Sequence, residues 1–488
     1  MYIEKIDAFL DSKKDEMLSD LSSLVRINSQ RGEAKEGMPF GEGAARALDT
    51  AEKLMKSYGF LTRNYENYVV TGDFGSQEKG LDILAHLDVV PVTQDWTVTR
   101  PFEPKVVGDR IYGRGTADDK GPAIAALYAM RAIRELGLPM KKSVRLILGS
   151  DEECGSSDLK YYYGIEKEAP YSFTPDADFP VINIEKGRFA GKFAAEFDEG
   201  LQLPGVVSLK SGTTVNIVPQ RAAAVIAGLE EDVLRRTAEE VSSQTGVTFD
   251  LELCDNAEAA DILGGFGIGS ENILCWKIQV RGVSAHASTP QEGKNALTAT
   301  LRLISRLPLA DCAGHRVLKA LDELMPFEDT CGEKLGIYRE EEQSGALTLC
   351  FSILEYSPKK MAGTFDSRLP IGCTEENTKA VVAKALAEHG ITLEDTPVVN
   401  PHCVPGDSEF VKILLDSYGH YFGVEGKPLS TGGGTYVHGL KRGVAFGCMT
   451  PDVDNHMHGD DEFMEIDTLV KSAKIFADAI LRICNDLD

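Results

Sequence analysis

The pattern that most constrains this chain is an alternation of short apolar strands with helices, which stops in the middle and resumes near the end. Residues 82–87 and 143–148 have the apolar runs of buried strands, and residues 122–136 have the Gly-Pro start and spacing of a helix. Residues 181–184 form the next apolar run. This alternation indicates an α/β fold with a doubly wound, mostly parallel sheet and helices on both faces.

The middle of the chain has a different pattern. Residues 189–197, 222–227 and 275–280 alternate apolar and polar side chains with a period of two, and a helical run lies at residues 295–306. This combination predicts an inserted α+β domain built on antiparallel strands.

The two patterns together predict two domains, one inserted into the other. After the Pro-rich segment TPVVNPHCVP, a helix at residues 408–421, the glycine loop GGGT and a strand at residues 444–447 resume the first pattern. We therefore expect a discontinuous domain at residues 1–186 and 405–488, and an inserted domain at residues 187–404. A chain of 488 residues is also long for a single hydrophobic core.

Charge and composition restrict the classes of partner. A net charge of -25 argues against nucleic acid, because phosphate binding needs a basic surface. No apolar stretch has membrane-spanning length, so we expect no membrane partner. The apolar residues between positions 3 and 24 recur at helical spacing among charges, which predicts an amphipathic opening helix rather than an export signal. The ten cysteines form no Cys-x-x-Cys pair, so we expect reduced thiols and a cytoplasmic location.

Five short motifs place ionisable side chains near the ends of predicted strands. His86 ends a strand in LDILAHLDVVP, where open α/β sheets bind ligands, and Asp88 is placed to hold its second ring nitrogen. Asp118 lies in GRGTADDKG, just before a helix, and its carboxylate can bridge two metal ions. The alternative is that Asp118 or Asp119 caps that helix.

The third motif, SDEECG, directly follows the strand at residues 143–148 and contains the adjacent Glu152 and Glu153. Two glutamates at a buried strand end are unfavourable unless a cation neutralises them. One can bind a metal ion while the other acts as a general base. A solvated acidic loop is the alternative.

The last two motifs each offer a choice. In FTPDADFP, either Asp176 or Asp178 can be the metal ligand, and in MHGDDEF either His458 or His456 can be. The alternative for both motifs is that these residues are ordinary surface side chains. Glu462 is placed to fix the local backbone. Together, the motifs supply two histidines and three carboxylates, the ligand number of a carboxylate-bridged two-metal hydrolytic centre.

The order of these motifs resembles the M20 family of metallopeptidases. The segments HLDVVP, GRGTADDKGP, SDEECGSSD, FTPDADFP and GGGTY are similar to its dipeptidase V subgroup, and the resemblance covers nearly the whole chain. It implies a catalytic domain with an inserted lid, which hydrolyses dipeptides or short peptides as a monomer. It also implies two divalent metal ions, with Zn²⁺ as the default and Mn²⁺ or Co²⁺ as alternatives.

The resemblance also implies a role for each residue of the metal site. Glu152 would be the general base, and the peptide bond between Asp118 and Asp119 would be cis. The implied ligands are His86 and Asp176 for one ion, Glu153 and His458 for the other, and Asp118 as the bridge between both.

In the inserted domain, the resemblance implies three substrate-binding residues: His286 in GVSAHASTP, Asn216 in TVNIVPQ and Arg368 in FDSRLPI. The guanidinium of Arg368 suits the terminal carboxylate of a substrate. A surface ion pair is the alternative for Arg368. Two further hypotheses stay open for the whole chain, an M20-type deacylase of N-acyl or N-succinyl amino acids and a non-catalytic binding protein on the same scaffold.

Overall fold

The computed structural model describes residues 2–75 and 77–487, and the chain divides into two units. The first unit comprises Met1–Glu185 and Cys403–Asp488, and the second comprises Lys186–His402. The chain therefore changes unit after residues 185 and 402, where the sequence predicts changes after residues 186 and 404.

Both units contain helices as well as strands. In chain order the helices are α1 (Tyr2–Ser12), α2 (Lys14–Val25), α3 (Glu42–Ser57), α4 (Lys120–Glu135), α5 (Ser157–Tyr163), α6 (Glu231–Thr245), α7 (Asn256–Gly264), α8 (Ala296–Arg306), α9 (Ala313–Leu324), α10 (Lys379–Ala387), α11 (Glu409–Phe422) and α12 (Ile466–Asp486). Short 3-10 helices lie at Glu152–Cys154, Pro290–Glu292 and Tyr436–Gly439. Within the described ranges, no helix combines the length and the apolar character that crossing a lipid bilayer requires.

The strands include several of only two or three residues. In chain order they are β1 (Leu61–Tyr65), β2 (Val69–Phe74), β3 (Lys79–His86), β4 (Lys105–Val107), β5 (Arg110–Tyr112), β6 (Ser143–Gly149), β7 (Tyr171–Thr174), β8 (Ala177–Asp178), β9 (Val181–Glu185), β10 (Gly187–Glu196), β11 (Gly205–Ser211), β12 (Arg221–Ala227), β13 (Thr248–Leu253), β14 (Cys275–Arg281), β15 (Glu340–Glu341), β16 (Gly345–Ala346), β17 (Thr348–Ser357), β18 (Lys360–Leu369), β19 (Thr392–Leu393), β20 (His402–Cys403), β21 (Pro428–Thr431), β22 (Gly443–Ala445), β23 (Cys448–Met449) and β24 (Phe463–Glu465).

The first unit is built on a mixed sheet in the order β1-β2-β6-β3-β7-β22-β9, with β21 beside β9. The pairs β6-β3, β3-β7, β7-β22 and β9-β21 are parallel. The pairs β1-β2, β2-β6 and β22-β9 are antiparallel. The predicted α/β class with a mostly parallel sheet is therefore confirmed, with the antiparallel pairs towards its edges.

Helix α4 packs against α12 and against strands β3 and β6. Every residue from Lys120 to Ile133 is buried, so this helix is enclosed on all faces rather than amphipathic. The helix begins two residues before the predicted start at Pro122. A proline is tolerated there because the first turn of a helix needs no amide donor.

Two predicted elements differ from the structure. The single opening helix is wrong, because α1 and α2 separate at Lys13. The buried residues Ile6, Leu10, Met17 and Leu21 keep helical spacing through this break, so periodicity could not locate it. The predicted strand at residues 444–447 ends early, since the left-handed φ of 76° at Gly447 turns the chain out of the strand.

The second unit is built on an antiparallel sheet in the order β13-β14-β12-β11-β17-β18-β10-β19. Strand β10 alternates buried residues with less buried ones over its whole length. Its buried face contributes Phe189 and Phe193 to a core that also includes Trp276. Helix α8 packs against β12 and β17, which gives this unit the α+β character that the period-two pattern predicts.

Candidate metal centre

Three neighbouring parallel strands of the first unit end at the same edge of the sheet. Strand β3 ends at His86, β6 leads into the 3-10 helix that carries Glu152 and Glu153, and β7 ends two residues before Asp176. The carboxyl ends of parallel strands form the edge where open α/β sheets bind ligands. The order β6-β3-β7 therefore brings these side chains to one place.

Five side chains from this edge and two loops form two groups of potential metal ligands. Asp118 comes from the loop before α4, and His458 comes from the loop before β24. Within each group, the ligand atoms lie within 4.8 Å of one another. The groups are His86, Asp118 and Asp176, and Asp118, Glu153 and His458.

Asp118 belongs to both groups, and its two carboxylate oxygens face different histidines. Oδ1 lies 2.9 Å from Nε2 of His86, and Oδ2 lies 2.8 Å from Nε2 of His458. Each histidine also lies near a second carboxylate. Nε2 of His86 is 3.6 Å from Oδ2 of Asp176, and Nε2 of His458 is 3.2 Å from Oε1 of Glu153. This is the arrangement that a bridging carboxylate needs.

The donor set fits divalent cations. Nε2 of His86 and Oε1 of Glu153 are buried polar atoms without a hydrogen-bond partner among the described residues. Such atoms are unfavourable unless another group satisfies them. Imidazole nitrogens and carboxylate oxygens are ligands that suit zinc and the neighbouring transition metals.

The charges of the site also fit cations. Burial and the nearby charge of Asp118 raise the pKa of Glu153 to about 7, and burial raises the pKa of Glu152 well above its usual value. The carboxylates of Asp118 and Glu153, 2.8 and 3.2 Å from Nε2 of His458, raise the pKa of this histidine to about 10. A metal ion bound between these groups would displace a shared proton, because metal binding deprotonates its ligands.

Asp88 contacts the second ring nitrogen of His86 and also the loop that carries the two glutamates. Nδ1 of His86 lies 3.1 Å from the backbone oxygen of Asp88 and 3.4 Å from its carboxylate, so the backbone contact is the shorter. The carboxylate also accepts the backbone amides of Glu152 and Glu153 at 3.2 and 3.1 Å. Asp88 therefore contacts both the histidine and the backbone of the acidic loop.

Glu462 holds the loop that carries Asp118. Its fully buried carboxylate accepts the amides of Gly115, Ala117 and Asp118 at distances between 2.8 and 3.2 Å. It also pairs with the buried guanidinium of Arg114. Because Glu462 is close in the chain to His458, these contacts connect the two loops that supply the second ligand group.

The competing residues lie elsewhere. Asp178 is exposed on β8, and the exposed His456 places Nδ1 3.1 Å from the backbone oxygen of Asp460. Asp119 is at the N-cap position of α4 but makes no side-chain capping bond, and its carboxylate accepts the backbone amide of His86 at 2.9 Å. The peptide bond between Asp118 and Asp119 is cis, as the resemblance implied.

Comparison with known sequences decides the family. The profile of Peptidase family M20/M25/M40 matches residues 83–482. Beta-Ala-Xaa dipeptidase of Lactobacillus delbrueckii subsp. lactis is 33% identical over 482 residues, which cover 98% of this chain and 97% of the relative. The chain belongs to the M20 peptidase family. The family and enzyme class predicted from the sequence motifs are confirmed.

Solved structures support the architecture of this M20 peptidase. Human carnosine dipeptidase 1 superposes with a TM-score of 0.59 at 15% identity over 99% of both chains. The di-peptidase Dug1p of Saccharomyces cerevisiae gives a TM-score of 0.56 at 14% identity over 100% of this chain and 99% of that chain. At these identities, the likeness concerns the fold.

The second unit of the M20 peptidase brings two of its three predicted residues together. The backbone amide of Ala287 donates to the backbone oxygen of Asn216 at 2.9 Å, and Ile217 pairs with His286 in an isolated bridge. The exposed His286 places Nδ1 2.6 Å from Oγ of Ser288. Asn216 and His286 therefore lie on adjacent segments.

Arg368 lies on β18 and is buried, with 7% of its surface exposed. Its Nε and Nη2 donate to Oδ2 of Asp366 at 2.9 and 2.8 Å. The other oxygen of Asp366 accepts Nε of Arg188 at 3.1 Å. Arg368 thus forms an ion pair with Asp366. The sequence leaves open a surface ion pair as the alternative role of Arg368, but the observed pair is buried.

Sequence reasoning missed two buried residues beside the metal centre, Asp158 and Tyr436. Both lie in segments that carry the family resemblance, SDEECGSSD and GGGTY. A polar residue shortly after an acidic loop and an aromatic residue after a glycine run are common, so neither could be singled out from its local sequence.

Proposed function

We propose that this M20 peptidase hydrolyses the peptide bond of dipeptides or short peptides with two divalent metal ions and a glutamate general base. The observation that carries the proposal is the position of Asp118, whose two carboxylate oxygens each face a different histidine. The dipeptide substrate class is supported by the name of the Lactobacillus relative.

Each ion would have its own ligands and share one. His86 and Asp176 would hold one ion, Glu153 and His458 the other, and Asp118 would bridge them. Zn²⁺ is the default for these ligands, and Mn²⁺ and Co²⁺ are alternatives. When bound, the ions lower the pKa of water and polarise the scissile carbonyl.

Glu152 would move the proton. Its carboxylate accepts a proton as water attacks the carbonyl carbon, and it donates this proton to the leaving amine nitrogen as the C–N bond breaks. Burial raises the pKa of Glu152 well above its usual value, which favours a group that must both accept and release a proton. Asp88 would orient Glu152 through the backbone amide that it accepts.

The second unit would act as a lid that supplies substrate contacts. In this proposal, His286 stabilises the developing oxyanion, Asn216 adds a polar contact, and Arg368 binds the terminal carboxylate. We also infer a monomer, as in the dipeptidase V subgroup that the sequence resembles, and a cytoplasmic location. The ten cysteines form no Cys-x-x-Cys pair, which suits a reducing compartment.

The test of this function is Glu152→Gln, with Glu103→Gln on the exposed surface as a matched control. Loss of the base should lower kcat for dipeptides by about a hundredfold or more while two metal ions stay bound. The control should keep the wild-type rate. Unchanged turnover in Glu152→Gln would contradict the assignment of the base.

The substrate class needs a separate measurement. Wild-type enzyme should be assayed on a panel of Xaa-Xaa dipeptides beside N-acetyl and N-succinyl amino acids. We expect kcat/KM to be highest for dipeptides. A strong preference for the acylated amino acids would replace the dipeptidase proposal with the deacylase, and turnover of neither class would favour a binding protein.

A further inference from the structure

The backbone that carries the two glutamates is held by carboxylates on both sides. Asp158, in the first turn of α5, is completely buried, and its Oδ2 accepts the amides of Ser150 and Asp151 at 2.6 and 2.9 Å. Asp88 accepts the next two amides of the chain. Four consecutive N–H groups, at residues 150–153, therefore donate to two buried aspartates, which fixes the path of the loop.

Tyr436 connects the carboxylate of Asp158 to the imidazole of His86. Its hydroxyl donates to Oδ2 of Asp158. Its ring meets the His86 ring edge to face, with 6.1 Å between the ring centroids and an interplanar angle of 85°. The two contacts use different parts of one side chain, so they can be removed separately.

The space beside this contact leaves no room for a side chain at position 149. Gly149, at the end of β6, faces both partners, and a Cβ at this position would lie 2.1 Å from Oη of Tyr436 and 2.4 Å from Oδ2 of Asp158. Tyr436 is only 5% exposed. The hydroxyl of Tyr436 and the carboxylate of Asp158 thus pack directly against the end of β6, just before Glu152 and Glu153 in the chain.

We propose that Tyr436 and Asp158 are positioning residues of the active site, which keep Glu152 and His86 in a constant relation to each other. Asp158 holds the start of the acidic loop, the hydroxyl of Tyr436 holds Asp158, and the ring of Tyr436 holds the plane of His86. Groups that orient metal ligands and catalytic side chains in this way strongly affect metal affinity and rate. The expected effect on turnover rests on the proposed function. The expected effect on Zn²⁺ affinity does not depend on which substrate the enzyme hydrolyses.

The experiment compares Tyr436→Phe, which removes only the hydroxyl, with Tyr436→Leu, which also removes the ring. The matched control is Tyr162→Phe, because Tyr162 is a buried tyrosine on α5 whose hydroxyl has no hydrogen-bond partner among the described residues. The full-length, metal-loaded proteins are assayed for kcat and KM on a dipeptide, per folded and metal-loaded molecule. Zn²⁺ affinity is measured by competition with a chromophoric chelator.

We expect Tyr436→Phe to lower kcat about tenfold with KM and Zn²⁺ affinity within about twofold of wild type, since the ring stays against His86. Tyr436→Leu should in addition lower Zn²⁺ affinity by about tenfold. Asp158→Asn is expected to lower kcat at least as much as Tyr436→Phe. Tyr162→Phe should match the wild type in every measurement.

Equal kcat values for Tyr436→Phe and Tyr162→Phe would overturn the role of the hydroxyl. Wild-type Zn²⁺ affinity in Tyr436→Leu would overturn the role of the ring. If the wild-type protein hydrolyses no dipeptide, the proposed function fails, whereas the Zn²⁺ affinities of the Tyr436 variants still decide whether the ring positions His86.

Discussion

The two units of this M20 peptidase hold their candidate functional residues in different ways. In the first unit, the ligand candidates converge on Asp118, and buried carboxylates hold the loops that carry them. In the second unit, Arg368 pairs with Asp366 on its own strand, and His286 lies exposed beside Ser288. All members of the first constellation lie in one unit, so the fold of that unit defines their arrangement. In the second unit, Arg368 and His286 each contact a side chain two residues away in the chain.

The first unit holds its candidate ligands with supporting contacts. A metal site loses affinity when its ligands can move, so supporting contacts beneath the ligands are expected. The first unit has such contacts at Asp88 and Glu462, each of which accepts two or more backbone amides. Substitutions at these residues test whether this contrast between the two units affects function.

The largest expected effect concerns the shared ligand. Asp118→Ala removes a ligand from both groups, so we expect loss of both metal ions and a fall in kcat/KM of at least about a thousandfold. The measurements are elemental analysis of bound metal and dipeptide hydrolysis. The control is Asp178→Ala, at an exposed aspartate that belongs to neither ligand group, and it should keep both the metal ions and the activity. Two bound ions in Asp118→Ala would refute the bridge.

The next effect concerns the support of that ligand. Glu462→Gln leaves the buried Arg114 without its charged partner, so we expect a loss of about 3–5 kcal/mol in the free energy of unfolding. Turnover should fall about tenfold to a hundredfold because the Asp118 loop is less well held. Urea unfolding and kinetics measure the two effects. Glu465→Gln, at a more exposed pair with Arg110, should change stability by less than about 1 kcal/mol.

The next prediction concerns Arg368, the candidate substrate-binding residue of the second unit. If Arg368 binds the substrate carboxylate, Arg368→Lys should raise KM about tenfold with little change in kcat, because a lysine cannot form the bidentate contact. Arg188→Lys alters the other arginine on Asp366 and is the matched control. Equal KM values in both variants would mean that Arg368 acts only as a partner of Asp366.

The smallest expected effect distinguishes the two neighbouring histidines. His456→Ala should leave metal content and kcat/KM within about twofold of wild type, because this exposed side chain belongs to neither ligand group. His458→Ala should lose one of the two ions. Metal loss in His456→Ala with retention in His458→Ala would reverse the assignment.

Much of the fold was predictable because hydrophobic periodicity is a local property. The apolar runs at residues 82–87 and 143–148 correspond to β3 and β6 to within three residues at each end, and the period-two run at residues 189–197 corresponds to β10. The break between α1 and α2 was not predictable, since the apolar spacing continues through it.

The local sequence identified the chemical groups that follow the apolar runs: His86 after one run and a pair of glutamates after another. The local pattern did not distinguish Asp176 from Asp178 or His458 from His456. The family resemblance implied Asp176 and His458, and only the folded arrangement places these two in the ligand groups. The physical reason is that side chains two residues apart share the same local sequence. The direction in which each one points depends on loops and strands far away in the chain.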